Sequence, residues 1–223
     1  MARKIAYWML VRIPFWFVLA SILLVTALKW VPVRYTPLML KRSVQFRGTE
    51  GARAVQKWVP LEEISPEVVS AVITAEDARF LEHDGFDWDE IGLMINAHRR
   101  SGLPLRGCST ISQQTAKNVF TFATRTLARK AMETYWTVLI EKIWGKRRIM
   151  EVYLNVVETG RGLYGIEAAA RHHFGIGAVA LNRRQAVSLA VCLPRPLHTD
   201  PLNMTADKRQ RCLKIISYER QEF

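Results

Sequence analysis

Glu76 and Asp77 stand side by side in AEDARFLEHDG (residues 75–85), directly after the apolar run SPEVVSAVITA. Acids are excluded from a buried helix face unless they are paired, solvated or chemically employed. Val68, Val69, Val72 and Ile73 mark much of this segment as buried, which puts Glu76 at the rim of an apolar wall. A carboxylate in that setting holds its proton more tightly, as a general base requires. At helical spacing Glu76 shares a face with Phe80 and His83, while Asp77 points elsewhere. The competing reading is a solvated turn near the end of a helix.

Two further stretches carry groups suited to an anion. In RGCSTISQQTAKN (residues 106–118), Gly107 and Cys108 are small enough for another chain to approach. The helix opening after them presents free N–H groups, with Gln113 and Lys117 one turn apart on one face. A plain capping box with surface amides explains the same residues without chemistry. In TRTLARKAMETYW (residues 124–136), Glu133 follows Arg129 by four. That spacing fits a surface ion pair, or a second carboxylate set among the cations Arg125, Arg129 and Lys130 that hold a phosphate. KRRIMEVYLN (146–155) and RGLYGIEAAARHHFG (161–175) read as scaffold, their small residues and aromatics Tyr153, Tyr164 and Phe174 suiting tight helix packing. His172 and His173 are adjacent and so face apart on a helix, a poor metal pair.

The elements that must position these groups are helices. Ser65-Pro66 opens one as cap and first turn, expected to run to about His83 and stop at Gly85. Others are expected over 88–100, 110–119, 127–144, 148–156, 166–174, 181–191 and 206–218, with strand alternation nearly absent. The fold class is therefore all-α. Residues 31–57, with Pro32, Pro37, Gly48 and Gly51 among basic residues, read as an irregular neck.

Ahead of the neck, residues 5–28 are almost wholly apolar, Arg12 being the one charge. As a helix they span roughly 36 Å, enough for a bilayer core. Arg12 can snorkel, and Trp8 and Trp30 bracket the span. No small-residue cleavage site follows, so the segment reads as an uncleaved anchor rather than a signal peptide. Basic residues lie on both sides, so charge does not orient it. The 223 residues carry 32 Lys and Arg against 20 Asp and Glu, a net +12 that asks for an anionic partner. Cys108, Cys192 and Cys212 are too few and too irregular for a disulfide framework or zinc site and read as free.

Taken in order, the stretches resemble the motifs of the peptidoglycan glycosyltransferases (glycosyltransferase family 51). EDARFLEHDG is similar to E-D-x-x-F-x-x-H-x-G, GCSTISQQ to G-x-S-T-I-x-Q-Q, and RKAME to R-K-x-x-E. KRRIMEVYLN is similar to K-x-x-I-L-E-x-Y-L-N, and GLYGIEAAARHHFG to the last block. The likeness covers residues 58–200, and the anchor with no transpeptidase region behind it resembles the monofunctional Gram-negative form.

The resemblance implies a lysozyme-like helical lobe and a small membrane-facing lobe. The chain then divides into a cytoplasmic tip and transmembrane helix (1–30), the neck (31–57) and the glycosyltransferase domain (58–223). It implies a single-pass inner-membrane protein with its catalytic domain periplasmic. The implied reaction polymerises lipid II into β-1,4-linked glycan with inversion, releasing undecaprenyl pyrophosphate. On this mapping Glu76 is the base and Glu133 the second carboxylate. Lys117 and Arg125 neutralise the pyrophosphate, and Ser109, Gln113, Gln114, Arg129 and Lys130 line the cleft. Implied partners are lipid II, the growing lipid-linked glycan and membrane lipid, with room for other cell-wall synthesis or division proteins and none for nucleic acid. The sequence requires no cofactor; some members carry a divalent metal (Mg or Mn) at the pyrophosphate. Two departures stand out: Ile176 replaces the family's frequent Lys, and Cys108 its usual Gly or Ala. A lysozyme-like hydrolase needs no such cluster of cations, and a scaffold binding anionic lipid or nucleic acid needs neither carboxylate.

Overall fold

The apolar N-terminal run folds as one rod in the computed structural model, which describes residues 8–102, 107–122 and 126–218. A π-helical turn (Trp8–Arg12) feeds α1 (Ile13–Leu28), together long and apolar enough to cross a membrane. The C-terminal half of α1 is not free. Val25 and Ser21 are buried although the rest of α1 is largely exposed.

The neck is not irregular as expected. Thr36 caps a helix with Pro37 in its first turn, α2 (Pro37–Gln45), and the neck also supplies β1 (Val55–Gln56). Both start signals stood in the sequence, since Pro suits the first turn and Thr the cap. The helix after Ser65 is also shorter than expected. α3 (Pro66–Glu76) stops at the catalytic candidate instead of reaching His83. Asp77 leaves helical geometry at φ −161° and ψ 75°. Its carboxylate accepts from the Ile111 N–H at 2.9 Å and bonds His83 Nε2 at 2.9 Å. These tertiary bonds hold the chain in a turn where local periodicity would have continued the helix.

α4 (Trp88–Ser101) buries no residue. α5 (Ile111–Phe120) opens on the expected capping box of Thr110 and Gln113, and α6 (Leu127–Ile143) on a Thr126 cap. There follow α7 (Gly145–Val156), α8 (Ile166–Phe174), α9 (Arg183–Cys192) and α10 (Ala206–Ser217). β2 (Glu158–Gly160) and β3 (Leu163–Tyr164) complete a three-stranded sheet of order β1-β3-β2, with β1 parallel and β2 antiparallel to β3. The all-α class holds, with this sheet as its minor exception.

Packing explains the placement of the site helices. α5 lies against α6 and α7, α2 crosses α5, and α3 packs on α9 and α10. Phe120 of α5 stacks on Trp136 of α6 with ring centroids 4.4 Å apart. α1 joins the same face, its Phe17 ring 5.5 Å from Tyr135, and Ser21 hydrogen-bonded to the Tyr135 hydroxyl. Trp144 Nε1 donates to Val25 O at 2.7 Å, and Arg148 to Leu28 O at 2.8 Å. The anchor is thus stapled to α6, which also carries Arg129 and Lys130, and to the start of α7.

Candidate active site

Glu76 ends α3 where the helix dipole is negative, a position that disfavours a carboxylate charge. Gln114 Nε2 donates to Glu76 Oε2 at 3.0 Å. The amide is set by two more bonds: Tyr153, fully buried, donates its hydroxyl to Gln114 Oε1 at 3.4 Å, and Gln114 Nε2 also reaches Ser109 O at 3.3 Å. Burial pushes the Glu76 carboxyl above its ordinary range. The Gln114 bond and the charges of Arg211 and Lys117 pull against that rise, and Asp77 adds to it. The result is a carboxylate with raised proton affinity at the edge of a cavity, as base catalysis needs.

His83 does not stand beside Glu76 as the helical reading expected. Its Nδ1 accepts from the Gly85 N–H at 3.1 Å, which leaves Nε2 to carry the proton toward Asp77. Gly85 sits at φ +92°, and a Cβ there would lie 2.8 Å from Thr137 Cγ2 on α6. No other residue fits, and the tight passage lets Thr110 Oγ1 bond Gly85 O at 2.7 Å. The turn after Glu76 is thereby pinned to the start of α5.

Lys117 lies one turn after Gln113 on α5, half-buried. Burial pulls its ammonium below the ordinary lysine range; Glu133 and Glu76 draw it back up, while Arg129 and Lys130 press it further down. A cation crowded by cations gains most when an anion arrives. Glu133 is no surface ion pair. It is 2% exposed, bonded to Arg129 and, at 2.6 Å, to Lys130 Nζ. Its oxygens hold those two cations in place.

Two cavities flank this arrangement. One of about 300 Å³ contains Glu76, Asp77, Cys108 and Ser109. The other, of about 520 Å³, contains Gln114, Lys117, Arg129 and Asn118, with Lys41 and Arg42 of α2. Gln114 belongs to the larger cavity and touches the carboxylate of the smaller.

Of the expected residues, Glu76, Ser109, Gln114, Lys117 and Arg129 therefore reach these cavities, with Lys130 and Glu133 behind Arg129. Gln113 is 5% exposed and spends its amide oxygen on the Thr110 N–H at 3.1 Å, so it builds the helix start. Arg125 lies outside the described residues. Ile176 packs against the hydrophobic core, so no cation occupies that position. Sequence reasoning missed Tyr153, Arg211, Lys41 and Arg42. Tyr153 had a signal, because a buried tyrosine hydroxyl needs a partner; Arg211, which donates to Ala75 O at 2.7 Å, had none.

Among the described residues no three His, Cys, Asp or Glu side chains gather as metal ligands. Glu133 is held by Arg129 and Lys130, and Glu158, the acid lining the larger cavity, by Arg42.

A family profile described as Transglycosylase matches residues 43–218. The biosynthetic peptidoglycan transglycosylase of Ectopseudomonas mendocina is 50% identical over 188 residues, covering 84% of this chain and 77% of that protein. The protein of the same description from Bdellovibrio bacteriovorus is 45% identical over 208 residues, covering 90% and 82%. That from Caulobacter vibrioides is 47% identical over 169 residues, covering 76% and 71%.

Proposed function

Because the chain belongs to the transglycosylase family, we propose that it polymerises lipid II into β-1,4-linked peptidoglycan strands, inverting the donor anomeric carbon. The observation that carries this reading is Gln114, which joins a proton-accepting carboxylate to a cationic cavity.

The acceptor's sugar hydroxyl lies by Glu76 and the donor's pyrophosphate by Lys117 and Arg129. Glu76 takes the hydroxyl proton as the oxygen bonds to the anomeric carbon. The bond from that carbon to the pyrophosphate oxygen breaks on the opposite side, and undecaprenyl pyrophosphate leaves with the electron pair. A neutral hydroxyl attacks slowly unless its proton is removed during bond formation. The leaving group concentrates negative charge, so fixed cations favour its departure. Arg125 joins Lys117 in that neutralisation, and Glu133 keeps Arg129 and Lys130 aimed. No step is assigned to a metal.

The helix Trp8–Leu28 supports a single-pass inner-membrane anchor, and the substrate's chemistry a periplasmic domain. Membrane lipid and the growing lipid-linked glycan are then its partners. Purified protein incubated with labelled lipid II, free of transpeptidases, makes uncross-linked polymer that moenomycin blocks. Cleavage of preformed glycan with no polymer from lipid II would support a hydrolase instead.

A further inference from the structure

The larger cavity has two cationic walls of different origin. Lys117 and Arg129 come from α5 and α6, within the stretches that carry the family likeness. Lys41 and Arg42 come from α2, in the membrane-proximal segment before them. Residues 29–36 alone separate α2 from the anchor helix. On the proposed function, a pyrophosphate hanging from a prenyl chain in the bilayer would lie near the depth of α2.

Arg42 is fixed. Its Nη2 donates to Glu158 Oε2 at 2.9 Å, its Nε faces Glu158 Oε1 at 2.8 Å, and its Nη1 donates to Gln45 Oε1 at 2.8 Å. Glu158 is 7% exposed on β2 and is the acid that lines this cavity among the described residues. This part-buried, hydrogen-bonded ion pair has two consequences. It ties α2 to the sheet across the cavity, and it cancels a charge that would repel an incoming phosphate. Lys41, the preceding residue on the helix, is exposed and lines the same space.

We propose that α2 is a second phosphate-binding wall: Lys41 contacts the donor's pyrophosphate across from Lys117, and the Arg42–Glu158 pair is the positioning device that holds the wall there. The inference rests on the proposed function and adds residues to it. A charge-assisted contact to phosphate, discounted for solvent exposure, is worth about three- to tenfold in affinity.

The test uses the full chain in neutral-detergent micelles, with lipid II as substrate and undecaprenyl pyrophosphate as product inhibitor. Lys41→Gln is expected to lower kcat/KM and raise the product inhibition constant by about three- to tenfold. Lys41→Arg should restore both. Arg42→Ala should weaken product binding more, because it leaves Glu158 charged and unpaired in the cavity, and adding Glu158→Gln should recover part of that loss.

Unchanged kinetics and product binding in Lys41→Gln would overturn the proposal, as would a defect that Lys41→Arg fails to rescue. A defect seen only in vesicles containing phosphatidylglycerol, and absent in neutral micelles, would assign Lys41 to lipid headgroups and overturn it too. A wild-type protein that makes no polymer contradicts the proposed function instead. Calorimetric binding of undecaprenyl pyrophosphate to wild type and Lys41→Gln still judges the wall in that case.

Discussion

At the scale of single residues, burial raises the proton affinity of Glu76 while Gln114, Arg211 and Lys117 hold it back, and that makes the pH profile informative. As pH falls, Glu76 gains a proton and the base is lost, so kcat/KM declines on the acid side. Burial raises the Glu76 carboxyl, so the decline falls above the ordinary carboxylate range. Gln114 and Lys117 both pull the carboxyl down. Gln114→Ala and Lys117→Met should therefore each move the acid limb to higher pH, measured as kcat/KM across pH; a limb that stays put or moves lower contradicts the assignment. Lys117 also bears directly on the leaving group. Lys117→Ala and Arg125→Ala should each slow turnover by a factor on the order of a hundred. Both are read from initial rates at limiting and saturating lipid II, and full activity in both variants would remove the phosphate-site assignment.

At the scale of elements, the carboxylate and the cations are brought together by packing between helices. Trp136 is the joint: it stacks on Phe120 of α5, lies within 6.2 Å of the Phe17 ring of the anchor, and follows Glu133 by less than one turn. Trp136→Ala should cost about 3–5 kcal/mol of stability. A chain of this length loses about 2–4 °C per kcal/mol, so thermal melting should fall by roughly 6–20 °C, with activity lost before the fold. An unchanged melt would show that the joint carries no load. Much of this was legible in the sequence, because caps and apolar periodicity are local. The α5 capping box, α6 and the free cysteines stand as expected. The end of α3 was not legible, since Asp77 is drawn off by Ile111 and His83, and the first of these lies 34 residues away. Nor was the pairing of Arg42 with Glu158, 116 residues apart. The likeness to a family pointed to Glu76 and Lys117; the geometry adds Tyr153, Arg211 and the α2 cations around them.

At the scale of the whole molecule, the apolar helix, the cavities and the surplus charge suit the proposed catalyst held against a bilayer. The net charge of +12 suits a domain resting on anionic lipid. An alkaline phosphatase fused after residue 218 should be active in intact cells if the domain is periplasmic, and inactive if it faces the cytoplasm. Loss of this orientation would remove access to a lipid-linked donor on that side but would leave the chemistry at Glu76 untouched. That chemistry is the central claim. Glu76→Gln keeps volume and much of the hydrogen bonding while removing the proton acceptor. In the folded protein the ionised Glu76 is penalised, because burial raises its pKa above the unfolded value. At neutral pH the substitution should therefore leave the melting temperature unchanged or raise it, the difference fading as pH falls through the raised folded-state pKa and vanishing below the unfolded one. The decisive measurement is the initial rate of lipid II polymerisation by wild type and Glu76→Gln, beside their thermal melts. A drop of roughly 100- to 10,000-fold in a fully folded variant is the predicted result; a folded Glu76→Gln protein polymerising at the wild-type rate would contradict it.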